Sequence, residues 1–79
     1  MEDTELYARL TRILREVFDD DGLVARPELS ADDVDDWDSL SNLRLVMTVE
    51  KAFDVKFAAA EIGALMNIGD LANLIRSKF

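Results

Sequence analysis

The chain has 79 residues, 49% of them apolar and 33% charged, which is enough for one small domain and too few for two. Seventeen acids against nine bases give a net charge of -8, which argues against nucleic acid and anionic lipid as partners because both demand a surplus of Lys and Arg. Cysteine and histidine are absent, so disulfides, thiolate or imidazole metal sites, and any Cys or His nucleophile or general base of this chain are excluded.

From about Thr4 to Phe18, Leu6, Leu10, Ile13, Leu14, Val17 and Phe18 recur at three- and four-residue spacing, which predicts an amphipathic helix with Arg9, Arg12 and Glu16 facing outward. The helix is expected to stop near Asp19, with Gly22 offering a left-handed cap. Residues 20–38 hold Gly22, Pro27, Ser30 and seven aspartates, a composition that competes with regular structure through local side-chain hydrogen bonds. This reads as a long ordered loop whose Leu23, Leu29, Val34 and Trp37 fold back over the core, with one helical turn beginning at Ser30. Between Asp19 and Asp38 lie nine acids and one base, so this stretch carries the entire charge imbalance.

Asp38 then stands as N-cap of a second helix, Ser39 to Phe53. It carries two apolar stripes: Leu45, Val46, Val49 and Phe53 suit burial, whereas Leu40, Leu43 and Met47 follow on a rotated face. Asp54 to Phe57 is a short extended connection, and Ala58 to Leu65 a weak short helix with Ile62 and Leu65 facing in and Gly63 weakening it. Asn67 caps a last helix, with Asp70 three residues on as a variant capping box and Leu71, Leu74 and Ile75 at core spacing. At this size a core contributes only about 3 to 5 kcal/mol, which favours compact helices over long-range sheet pairing. The expectation is an all-α domain over residues 1–79, three main helices plus one short one. No charged-then-apolar leader opens the chain and no apolar run approaches the ~20 residues a bilayer demands, so a cytoplasmic location is the default expectation.

Without His or Cys, catalysis would rest on Ser, Asp, Glu, Lys or Tyr. The loop carboxylates could in principle act as acid and base or hold a hard cation such as calcium, with Asp35 and Asp36 central, but no Asp-x-Asp-x-Asp-Gly spacing with a trailing Glu occurs. No metal site is therefore expected. Ser39, just after the N-cap, is an exposed-hydroxyl candidate at a helix start whose N–H groups can face a phosphate. Nothing near it in sequence raises its nucleophilicity, which suits modification by another enzyme better than self-contained catalysis.

The stretch Trp37-Asp38-Ser39-Leu40, followed by Leu45-Val46-Met47, Val49-Glu50 and Phe53-Asp54-Val55, resembles the acyl carrier proteins, as does Asn67-Ile68-Gly69-Asp70-Leu71 at the start of the last helix. The resemblance covers nearly the whole chain. It implies a four-helix bundle of acyl-carrier type and makes Ser39 the attachment point of 4'-phosphopantetheine, taken from coenzyme A, with Asp38 the acid before the modified serine, a cofactor-site residue that would help position the transferase's magnesium and phosphates during modification. It further implies a stand-alone, monomeric, non-enzymatic carrier of acyl thioesters in a fatty acid, polyketide or other specialised pathway. Its partners would be a phosphopantetheinyl transferase and acyl-activating or acyl-transferring enzymes, met at Leu40, Leu43, Arg44, Met47 and Lys51.

The sequence departs from the family pattern where Arg44 and Lys51 replace acids common along this helix, and where Ser41 follows Asp-Ser-Leu. These swaps suggest a dedicated set of partners. Two alternatives use the same residues differently: an aminoacyl or peptidyl carrier, and an unmodified helical protein-interaction module. A third arrangement buries the second helix on two sides, and Leu43 would then be the first of its row to turn inward.

Overall fold

Apolar side chains three and four residues apart share one side of a helix, and the start of the chain keeps that spacing for four turns. In the computed structural model, which describes residues 2–79, this stretch forms α1 (Asp3–Phe18) and buries Leu6, Leu10, Ile13, Leu14 and Phe18. Asp3 and Glu5 occupy the first turn, where the helix dipole favours acids. The helix closes on Asp19 in the left-handed conformation (φ 50°, ψ 46°), and the Asp20 N–H returns to the Arg15 carbonyl at 3.1 Å. Among the described residues no glycine has positive φ, so Gly22 is not the cap. The chain leaves the helix three residues earlier than a glycine cap requires, and a short polar side chain tolerates the turn.

The segment after α1 is irregular but tied down along its length. The Ala25 N–H donates to the Thr11 hydroxyl at 2.9 Å, and Arg15 Nε donates to the Leu23 carbonyl at 2.7 Å. A 3-10 turn, Ala31–Asp33, begins at Ser30 as the sequence predicts; the Asp33 carboxylate accepts from the Ser30 N–H at 3.1 Å. Ala25, Leu29 and Val34 are buried in the core, and Leu23 and Trp37 pack partly against it. The segment therefore serves as a lid on the helices.

The second helix, α2 (Ser39–Phe53), buries Leu45, Val46, Val49 and Phe53, and ends on Asp54, also left-handed (φ 55°, ψ 50°). The short helix α3 (Ala59–Gly63) occupies five residues of the predicted 58–65 span, with Ile62 and Leu65 half-buried. Alanine at the Ala58 cap offers no side-chain acceptor to its first turn, so the helix stays short. In α4 (Ile68–Arg76) the buried residues are Ile68, Leu71, Ala72 and Ile75, while Leu74 is half-buried. The Asn67 side chain accepts from the Asp70 N–H at 2.8 Å, as expected of a cap; the Asp70 carboxylate, however, accepts from Met66 N–H at 3.0 Å, one residue before the position a capping box requires.

The start of α4 is held by the long segment. The Ile68 and Gly69 N–H groups, which have no acceptor within their own helix, donate to the Leu29 carbonyl at 2.8 Å and the Pro27 carbonyl at 3.0 Å. Backbone approaches so closely there that a Cβ on Gly69 would lie 3.1 Å from the Pro27 oxygen. No strand occurs among the described residues; the protein is all-helical, with four helices around one apolar core that contains no buried polar or charged residue among those described.

Candidate functional site

The segment's C-terminal end and the N-terminus of α2 meet at Asp38. Its carboxylate Oδ1 accepts the Ser41 N–H at 2.9 Å, and the backbone carbonyl of Asp38 accepts the Asn42 N–H at 2.8 Å. The Ser41 N–H bond holds the Asp38 carboxyl below the ordinary aspartate range, so it is ionised at neutral pH. The Ser41 hydroxyl donates to the Asp36 carbonyl at 2.7 Å. Both neighbours are thus committed to the backbone.

Ser39 is the first residue of α2 and is exposed. With Asp38 turned to Ser41, no described base engages its hydroxyl, so the serine is open and unactivated. An open alcohol at a helix start can accept a group delivered by another enzyme.

Trp37 fixes the approach to this serine. Its indole Nε1 donates to Asn42 Oδ1 at 3.1 Å, and its ring packs against Phe18 with centroids 5.5 Å apart. One aromatic side chain therefore joins the end of α1, the last residues of the long segment and the first turn of α2.

Beside Ser39 a cleft of about 360 Å³ opens between α2 and the start of α4. Buried Leu45, Val46, Ile68 and Leu71 line its interior; Asp38, Ser39, Asn42 and Asn67 supply polar groups; Ala31, Trp37, Leu65 and Met66 complete the lining. The sequence reading missed Asn42, Met66 and Asn67 as members of this cleft. Only the pairing of Trp37 with an amide one turn into α2 could have pointed to Asn42.

The second stripe of α2 faces outward. Leu40 is 68% exposed, Leu43 50% and Met47 59%, so burial of α2 on two sides does not occur and Leu43 stays with its row. Arg44 and Lys51 are exposed on the same helix. Among the described residues no group of three or more Asp or Glu side chains is arranged to hold a metal ion, although Asp33, Asp35 and Asp36 line a hollow with Asp19 and Asp20. No described helix is long and apolar enough to cross a membrane.

Neither the protein-family models nor the curated proteins compared with the chain match it. Among solved structures, the solution NMR structure of a holo acyl carrier protein from Geobacter metallireducens superimposes with a TM-score of 0.87. The two share 46% sequence identity over 92% of this chain and 84% of that one. Identity at that level across nearly the whole of both chains carries more than a common fold: this chain belongs to the acyl carrier protein family.

Proposed function

We propose that the protein is a single-domain carrier, not a catalyst, that receives 4'-phosphopantetheine on Ser39 and presents acyl groups to the enzymes of a fatty acid, polyketide or other specialised pathway. The observation that carries this reading is the open Ser39 hydroxyl at the start of α2, beside an apolar cleft, in a chain akin to a holo acyl carrier protein. When attached, the arm supplies a terminal thiol, the nucleophilic sulfur this cysteine-free chain lacks.

The residues suit such a group. Ser39 Oγ would form the phosphodiester while coenzyme A loses its nucleotide half and the hydroxyl its proton. The first N–H groups of α2 favour an anion at that end of the helix. Asn42 and Asn67 can meet amide groups along an arm, and Leu45, Val46, Ile68 and Leu71 offer an apolar floor. Asp38, ionised, keeps the first turn of α2 formed and so positions the serine. Leu40, Leu43, Arg44, Met47 and Lys51 form the surface at which a phosphopantetheinyl transferase and the acyl-handling enzymes meet the carrier.

Incubation with coenzyme A, magnesium and a broad-specificity phosphopantetheinyl transferase is expected to add one arm by intact-mass spectrometry, and Ser39→Ala to abolish the addition. A wild-type mass unchanged across several transferases would contradict the reading.

A further inference from the structure

We propose that the exposed face of α2 selects partner enzymes whose carrier-binding groove is apolar and rimmed by acidic side chains, with Arg44 and Lys51 as the selecting charges. This rests on the carrier reading, since the partners concerned are the enzymes that would act at Ser39, the first residue of this helix.

Leu40, Leu43, Arg44, Met47 and Lys51 follow one another at helical spacing, and all five are exposed. Arg44 and Lys51 are seven residues apart, two turns or about 10 Å along the axis, with Met47 between them. In a chain of net charge -8, α2 holds one acid, Glu50. That carboxylate is half-buried and accepts the Phe57 N–H at 2.8 Å, which ties it to the connection after α2. The basic side chains in ion pairs are Arg26, Arg76 and Lys78; among the described residues Arg44 and Lys51 have none, and Asp54 beyond the helix end does not pair with Lys51. Two unneutralised cations therefore flank an apolar row. Acids on a partner's rim would be drawn to them at encounter, while a basic rim is repelled from this face and drawn instead to the acidic stretch 19–38.

The test uses two transferases that differ in their carrier-binding grooves, one rimmed by acids and one by bases, with coenzyme A and the full chain. Reversing both charges in Arg44→Glu/Lys51→Glu is expected to raise KM roughly tenfold with the acid-rimmed enzyme and lower it by a similar factor with the base-rimmed one, the change lying in KM rather than kcat and shrinking with added salt. Arg44→Lys/Lys51→Arg, which keeps both charges, restores the wild-type order of preference. Both sites are exposed, and circular dichroism verifies that the variants keep their helices. KM values indifferent to the reversal, or changes of opposite sign, overturn the proposal while Ser39 is still modified, so the carrier reading survives. No modification of any variant by either enzyme would instead sink the carrier reading, and this proposal with it.

Discussion

At Asp38 one side chain holds the first turn of α2 in place, and its ionisation makes that hold sensitive to pH. Its carboxyl titrates below the ordinary aspartate range because the ionised form accepts the Ser41 N–H. The folded pKa lies below the unfolded one, so the stabilisation is fully present above the unfolded value of about 3.9 and is lost as the pH falls through the folded value. Asp38→Asn is expected to keep the cap at neutral pH and flatten the acid limb of the stability curve, whereas Asp38→Ala is expected to lower Tm at neutral pH through loss of the cap. Thermal melts between pH 3 and 7 check both; an Asn variant with an unaltered acid limb would disprove this role. The cap itself was legible in the sequence, because Asp before a Ser-Leu helix start has one obvious use. The partner of Trp37 was not, since hydrogen bonds to a side-chain amide leave no periodic trace.

Helix ends and connections decide how the elements meet, and two glycines test that with opposite signs. Gly63 closes α3 with open space where a Cβ would sit, so Gly63→Ala is expected to stabilise by about 0.5 to 1 kcal/mol through helix propensity alone. At Gly69 a Cβ would press on the Pro27 backbone, in the segment that the Gly69 N–H bond to Pro27 and the Ile68 N–H bond to Leu29 hold against α4, so Gly69→Ala is expected to destabilise by about 1 kcal/mol. Urea unfolding of the two variants measures the pair; shifts of the same sign would refute the latch between the long segment and α4. The main helices and both stripes of α2 were legible because apolar periodicity names faces. The cleft was not, since Leu65, Met66 and Asn67 come from irregular chain between α3 and α4, and periodicity says nothing of a gap between elements. The same limit explains Gly22: composition marks where a helix is able to end, while packing of Phe18 and the turn onto Arg15 fix the end at Asp19.

Across the whole molecule the charge is divided, with the acids concentrated in residues 19–38 and two cations without ion pairs, Arg44 and Lys51, on the exposed face of α2. Mutual repulsion among those acids opposes the folded segment, and salt screens it over about 8 Å at physiological ionic strength. Adding sodium chloride is therefore expected to raise Tm, and Asp35→Asn/Asp36→Asn to raise Tm at low salt while reducing that dependence. Calcium chloride at equal ionic strength should do no more than sodium chloride, and a larger calcium shift would reveal a specific cation site. The bundle supplies rigidity, the segment closes it, and α2 presents one serine between a cleft and an exposed face. The most direct measurement of the central claim is peptide mapping by tandem mass spectrometry of protein purified from its own host. The account predicts a phosphopantetheine group on the peptide containing Ser39 and localised to that residue; a Ser39 peptide found only unmodified, or an arm on another serine, would contradict it.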